Sequence, residues 1–422
     1  MKIDHPLWQT LRSLKGNQRA CVVAEPLWAI PVYLYIPFAS MYMAAIGLLD
    51  LHIGVVTSVG LAVQFLASLF SGAIVDKYGR CKSMLIFGLL SWALPCLLWA
   101  GAQSYWYFIV AAAFNGIWRV SSNSHSCLII EDGETGHLIN IYTIFSLISL
   151  IAGFMSPVMG IFIERFTLVP TMRVMYLVAL IMMTIKFVLQ YRLMDESKTG
   201  LQKREESKGL SLFSITFGGF GNFLDTLKKT KLILYVILMA LITCFNTVQS
   251  TFWPLFVKAF YGVNDSLFSL FPMVKAVITI FAHLFITSKI SLNKTRHPLL
   301  LGLGAQFLGL TVLLICLPYA ETGILAVFFS AICEAFALAI ILPTSESMIS
   351  VAIPDNERAR IISFITSMIV LISIPVGWIA GRLSQLNRMF PLILNLCFLI
   401  AEALMVLIIT KVQSNKKDVR FR

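Results

Sequence analysis

Charged residues are scarce in this sequence. Only 13% of its 422 residues are Asp, Glu, Lys or Arg, while 58% are hydrophobic. Mean hydropathy is +0.84. A soluble domain carries about 25% charge, because its surface has to be wetted, so a soluble globular fold is excluded. A disordered chain is excluded by the same figures. Catalytic signatures are missing too. There is no HExxH, no GxSG-type nucleophile turn and no GxxxxGKS/T loop, which argues against an enzyme. The eight cysteines (Cys21, Cys81, Cys96, Cys127, Cys244, Cys316, Cys333 and Cys397) form no CxxC or other metal-ligand spacing. They lie in or beside apolar stretches and read as small apolar fillers, so neither a metal nor a cofactor is expected.

Acidic residues are the scarcer sign of charge, 21 against 33 basic ones, for a net charge of +12. The basic residues do not gather as a nucleic-acid surface would require. They sit in short segments between apolar runs, as cytoplasmic loops do, and no nucleic-acid partner is expected. Residues 1–24 are polar and basic, so no cleavable signal peptide is expected ahead of the first span.

What is present in abundance is apolar sequence. Runs fall at 28–49, 53–75, 83–101, 105–130, 139–163 and 172–193, then at 232–257, 266–288, 298–318, 322–350, 361–384 and 389–411. They do not alternate apolar and polar residues as barrel strands do. Helices are therefore predicted, since a helix satisfies its own backbone in lipid. The fold class is all-α: a polytopic membrane protein of twelve transmembrane helices, numbered here in chain order. With the N-terminus inside, the inner segments hold 25 Lys and Arg and the outer loops 5. That asymmetry predicts a plasma-membrane protein with both termini cytoplasmic.

A charged break splits the chain into six helices and six. The expected organisation is an N-terminal bundle over 1–193, a cytoplasmic linker over 194–231 and a C-terminal bundle over 232–422. The first part of the linker is charged and reads as flexible. Its second part, with Phe213, Phe217, Phe220 and Phe223, reads either as an interfacial helix or as a linker with a few apolar residues.

Between helices 2 and 3 stands Gly72-x-x-x-Asp76-Lys77-x-Gly79-Arg80-x-Lys82. Gly72 would let two helices approach closely. Gly79 would permit a tight turn. Asp76 would accept hydrogen bonds at the membrane surface from a helix N-terminus or a nearby Arg or Lys. This motif, its place and the six-plus-six layout resemble the major facilitator superfamily. Cys81 departs from the pattern, which usually has a basic residue there. The resemblance implies two pseudo-symmetric bundles and a gating role for Gly72, Asp76, Lys77, Gly79 and Arg80. In it Asp76 faces the start of helix 11, near Arg358 and Arg360. It also implies nested repeats with a binding site at mid-membrane. The segments 153–160 (GFMSPVMG) and 375–381 (PVGWIAG) correspond across the repeat, and their Pro and Gly residues suit tight packing or bending.

Polar residues within spans mark function by default, because they are expensive there. Helix 4 holds Asn115, Arg119, Asn123 and His125; helix 7 holds Asn246 and Gln249; helix 8 holds Lys275; helix 10 holds Glu334 and Glu346; helix 1 holds Tyr35. The expected substrate-binding set is Arg119, Asn115, Asn123, Tyr35, Asn246, Gln249 and Lys275. Arg119 is expected to anchor a solute or to pair with an internal carboxylate, with a purely structural bridge as the alternative. The expected proton-coupling set is Glu334, His125 and Glu346. For Glu334 a permanent ion pair with Lys275 or Arg119 stands as an equal alternative. Lys186 and Glu402, on helices that the resemblance places at the periphery, are expected to be structural or to snorkel.

The function so implied is secondary active transport of a small solute by alternating access, coupled to a proton or another ion. An organic anion and a sugar both suit the polar residues. Efflux of amphiphiles is the alternative within transport. A receptor or scaffold that has kept the fold is the alternative outside it. The partners expected are the solute, the coupling ion and the lipid bilayer, for a monomer.

Overall fold

The structure is a computed structural model and describes residues 6–131, 138–218, 232–290, 295–317, 320–352 and 358–420. It is helical, without strands among the described residues. Helix 1 runs over Gly16–Ala45, helix 2 over Asp50–Tyr78, helix 3 over Arg80–Ala100 and helix 6 over Leu168–Leu193. Helix 5 is built from Leu138–Phe154 and Ser156–Phe166. Helices 7 to 12 are Leu232–Tyr261, Asp265–Phe285, Arg296–Ile315, Ala320–Ala352, Arg358–Leu386 and Phe390–Arg420. Among the described residues, 11 helices are long and apolar enough to cross a membrane. Helix 4 is the exception because it is broken at Ile117 into Tyr105–Gly116 and Trp118–Ile130, and its second piece carries the polar run. Helix 1 starts earlier than its apolar run, so Glu25 lies inside the span and not ahead of it. The short helix Leu212–Phe217 begins the second part of the linker, with Phe213 stacked on Phe217 at 4.4 Å. The remainder of that stretch, with Phe220 and Phe223, lies outside the described residues.

The chain forms two compact units. The first comprises residues 1–38, 59–156 and 166–220. In it helix 6 packs on helices 1 and 3, and helix 3 on helix 4. Trp99 meets Phe108 at 5.1 Å and Tyr176 at 5.2 Å, an aromatic knot that ties three helices together.

The second unit comprises residues 39–58, 157–165 and 221–422. Helix 7 packs on helices 10, 11 and 12, and helix 10 on helices 8 and 9. The ends of helices 1, 2 and 5 join this unit because their small residues allow close approach. A Cβ on Gly54 would run into the Gly377 carbonyl and come within 2.8 Å of Gly381 Cα, so only glycine lets helices 2 and 11 cross there. A Cβ on Gly160 would meet the Ser266 carbonyl at 2.6 Å. Thus both Pro-Gly segments noted in the sequence are used for tight packing. The crossing of helices 2 and 11 is also tied by polar bonds. Arg388 donates to both Asp50 oxygens at 2.8 and 2.9 Å, Ser384 Oγ donates to Asp50 at 2.7 Å, and the Trp378 N–H donates to Ser58 Oγ at 2.8 Å. The Asp50 carboxylate raises the Arg388 pKa through these bonds, so the guanidinium stays charged.

Large apolar side chains such as Val174 and Ile181 on helix 6 and Ile400 and Leu404 on helix 12 are exposed. A bilayer is the solvent that such faces require.

Candidate functional site

Helix 4 owes its shape to Gly116. A Cβ there would lie 2.7 Å from the Gly60 carbonyl and 2.8 Å from Val63 Cβ, so helices 2 and 4 touch backbone to backbone at this point. Just before the break, Asn115 donates to the Ser91 carbonyl at 2.9 Å. Ser91 sits in a π-turn of helix 3, Leu89–Ala93, and the widened turn needs such a partner for its carbonyls. Asn115 is thereby engaged in holding helix 3. Just after the break, Arg119 spreads over the Trp118 ring with Cζ 4.2 Å from its centroid. The Gln64 amide, turned so that its oxygen faces the guanidinium, accepts from Nε at 3.1 Å and from Nη2 at 3.2 Å. No carboxylate pairs with Arg119 among the described residues. Asn123, a turn further on, makes no hydrogen bond to them. Tyr35 is turned into its own unit, buried, with its ring 5.0 Å from Tyr176.

Below Trp118 the same helix lines a cavity of about 150 Å³ with helices 1, 3 and 6. Its apolar walls are Trp28, Met84, Trp92, Trp118 and Phe187; its polar ones are Glu25, Ser121, Ser122, His125 and Lys186. Trp92 contacts Trp28 at 5.2 Å and Trp118 at 6.4 Å, edge to face. Lys186 Nζ donates to Glu25 Oε2 at 3.0 Å, and His125 Nε2 stands 3.9 Å from the same oxygen without a hydrogen bond. Of the two roles expected of Lys186, structural or snorkelling, this geometry takes the structural one. Lys186 is 5% exposed and Glu25 8%, so the ammonium points into the bundle toward a carboxylate.

The second unit holds a matching pair. Lys275 Nζ donates to Glu334 Oε1 at 2.7 Å and lies 4.9 Å from the Trp253 ring centroid. Gln249 donates to Glu334 Oε2 at 2.8 Å, and Asn395 on helix 12 donates to the Gln249 side-chain oxygen Oε1 at 3.0 Å. Of the two partners weighed for Glu334, the structure selects Lys275. Asn246, one turn from Gln249, has no hydrogen-bond partner among the described residues. Glu346 is exposed. Glu402 does not snorkel: it is 1% exposed, with Oε1 unpartnered.

The loop 2–3 motif folds into a network within the first unit. Arg80 pairs with Asp76 at 3.0 Å and grips Glu131 with two bonds of 3.1 Å, while Ser197 Oγ also donates to Glu131. Glu196 accepts from the backbone N–H of Arg80 at 2.7 Å and of Cys81 at 3.1 Å, capping helix 3 at its positive end. Lys77 donates to the Leu210 carbonyl at 2.9 Å. Gly79 has φ +90°, and a Cβ on it would sit 2.7 Å from Glu196, so glycine is required twice over. Gly72 is different. Among the described residues, a Cβ on it would meet nothing within 4 Å, so no close helix approach within its own unit rests on it. The Arg358 and Arg360 side chains, expected opposite Asp76, lie outside the described residues.

Sequence reasoning missed Glu25, Glu131 and Glu196. Each stands at the edge of an apolar run, where an acid reads as solvated. The available signal was that Pro26 marks the first turn of a helix, which puts Glu25 at the helix start and not in the loop ahead of it.

Comparisons with known proteins bear on the whole chain. The profile of the Major Facilitator Superfamily matches residues 29–377. The chain is 33% identical over 98 residues to the uncharacterized MFS-type transporter YqjV of Bacillus subtilis (strain 168), covering 23% of this chain and 24% of that one. It is 34% identical over 83 residues to a probable 3-phenylpropionic acid transporter of Escherichia coli (strain K12), covering 19% and 22%. The match thus spans about a quarter of each curated relative. The solved structure of the nucleoside transporter NupG superposes with a TM-score of 0.70 at 12% identity, over 94% of this chain and 99% of the other. That of a D-xylose-proton symporter superposes with a TM-score of 0.70 at 15% identity, over 92% and 96%. At such identities the likeness establishes the fold alone.

Proposed function

Because this chain belongs to the major facilitator superfamily, we propose that it moves a small organic anion across a cell membrane by alternating access, coupled to a proton. The basic loops and both termini face the cytoplasm in this reading, supported by the 25-to-5 distribution of Lys and Arg. The observation that carries it is Arg119. A guanidinium within a span, held by an indole face and an amide and paired with no described carboxylate, is a cation awaiting an anion. The name of the Escherichia coli relative, an acid transporter, supports the same solute class. Asn123 lies on the same helix face one turn away and supplies a neutral donor or acceptor.

Thermal unfolding of the purified protein tests this. Organic acids, neutral sugars, amino acids and lipophilic cations are added in turn to wild type and to Arg119→Ala. A ligand that binds only the folded state raises the midpoint by mass action, by about 2.7 kcal/mol at 100 times its Kd. We expect an organic acid to raise it in wild type and to do nothing in the variant. A neutral solute that stabilises both equally would remove Arg119 from the site.

In the second unit, Glu334 is the carboxylate we assign to the coupling proton. Lys275 and Gln249 both donate to it, so a proton taken up on Glu334 would release the two donors together. Glu334→Gln should therefore leave uptake independent of pH, and uptake that keeps the pH profile of wild type would exclude Glu334. His125 and Glu346 remain further candidates for proton movement on the same physical ground, an ionisable group within a span.

Asp76 we assign to gating, through Arg80 and Glu131. Asp76→Asn removes half of the charge that neutralises Arg80 and should lower turnover at least about tenfold, equivalent to about 1.4 kcal/mol of barrier. The variant should still insert in the membrane, and normal flux in it would overturn the assignment.

A further inference from the structure

We propose that the cavity between helices 1, 3, 4 and 6 is a second ligand site, built for an uncharged single-ring aromatic carrying a hydroxyl group. The site stands apart from Arg119, whose guanidinium is not among the cavity's lining groups.

Size and walls select the ring. The volume is about 150 Å³, comparable to cavities that admit benzene. The walls are three indoles, a phenyl ring and a thioether. Aromatic edges and faces set at 5.2 and 6.4 Å from one another offer T-shaped contacts to an inserted ring.

The polar end selects the substituent. Lys186 uses one N–H on Glu25 and has others to donate. His125 Nε2 is buried against the cavity without a hydrogen bond. Ser122 adds a hydroxyl. An apolar ligand would leave His125 Nε2 and the Ser122 hydroxyl without a partner, at a cost for each. A ligand hydroxyl can accept from Lys186 and donate to His125 or Glu25 at once.

Charge excludes the alternatives. Glu25 and Lys186 cancel one another at 3.0 Å, so the cavity holds a balanced pair. A carboxylate would add an uncompensated negative charge beside Glu25, and an ammonium an uncompensated positive charge beside Lys186. Either is far more expensive in a low-dielectric site than a neutral hydroxyl.

Phenol is the probe, with toluene and benzoate as its apolar and anionic counterparts. Radiolabelled phenol is bound to the purified full-length protein in detergent, and the other two compete. We expect saturable phenol binding, with toluene competing at least about tenfold more weakly and benzoate not competing. Ser122→Phe fills the cavity and should abolish phenol binding, while Ser122→Ala should keep it within a few-fold of wild type. Equal affinity for toluene and phenol would overturn the role of the polar end. Displacement of phenol by benzoate would overturn the charge argument and make the cavity an anion site. Unsaturable phenol uptake, or binding that survives in a folded Ser122→Phe, would overturn the site itself. Should Ser122→Phe fail to fold, the comparison of the three probes on wild type decides alone. Binding of benzoate elsewhere, lost in Arg119→Ala while phenol still binds, would leave both the transport reading and this one standing.

Discussion

Replacing Glu25 with leucine should cost the folded protein about 3–5 kcal/mol, the penalty for stranding a buried charge by removing its partner. Lys186 is the charge stranded. It is 5% exposed, and its ammonium touches Glu25 at 3.0 Å, with His125 Nε2 3.9 Å from the same carboxylate oxygen. Lys186→Met alone should cost a similar amount, because it strands Glu25 at 8% exposure. The double replacement should recover most of the loss, since two apolar side chains of similar volume need no counter-charge and often match or exceed the stability of the pair they replace. Unfolding of the four proteins in detergent, followed by tryptophan fluorescence, closes the cycle. A Glu25→Leu protein as stable as wild type would mean that Lys186 finds water by itself and that the pair is not buried in the working protein.

Replacing Gly54 with leucine should have the other large effect. The obstructing atoms are the backbone of helix 11 at Gly377 and Gly381, which cannot rotate away as a side chain can. Overpacking of this kind costs about 1–3 kcal/mol, and the upper end is expected where backbone is met. Helix 2 must move off helix 11, and the Asp50–Arg388 and Ser58–Trp378 bonds must lengthen with it. Flux should fall at least about tenfold, because the two helices can no longer close at this end. The direct measurement is the reaction of a water-soluble maleimide with Ser384→Cys in a Cys397→Ser background. Ser384 is 3% exposed and hydrogen-bonded to Asp50. Its cysteine should react slowly with Gly54 present and about tenfold faster in Gly54→Leu, a factor equal to about 1.4 kcal/mol of opening. Unchanged labelling would show that the crossing is not the seal.

Much of the architecture was legible in the chain. A spanning helix announces itself through about 20 apolar residues, a signal that survives any packing arrangement. Helix 4 was legible for the opposite reason: Asn115, Arg119, Asn123 and His125 are too polar for a lipid-facing helix. The loop 2–3 motif was legible because Gly79 requires a conformation that few residues tolerate. Gly72 is different: small residues permit close packing without compelling it, and among the described residues nothing of its own unit stands within 4 Å of a Cβ placed there.

The ion pairs were the illegible part. Glu25 and Lys186 are 161 residues apart, Asp50 and Arg388 338. Nothing local in either member points to the other. Neither Glu25 nor Asp50 stood out in the sequence, and Lys186 read as structural or snorkelling without a named partner. Lys275 and Glu334, both within spans, were at least candidates, but the chain left Arg119 as an equal partner for Glu334 and only the packing of helices 8 and 10 chose.

The sequence by itself determined that this protein spans a membrane in helices, where those helices run and which polar groups they carry inward, because burial of apolar area and backbone satisfaction in lipid are properties of each segment alone. Tertiary structure decided which of those polar groups neutralise one another and which have no charged partner among the described residues. That choice depends on distances of about 3 Å between segments far apart in the chain, and in a low-dielectric interior such distances govern whether a charge is paired, stranded or available.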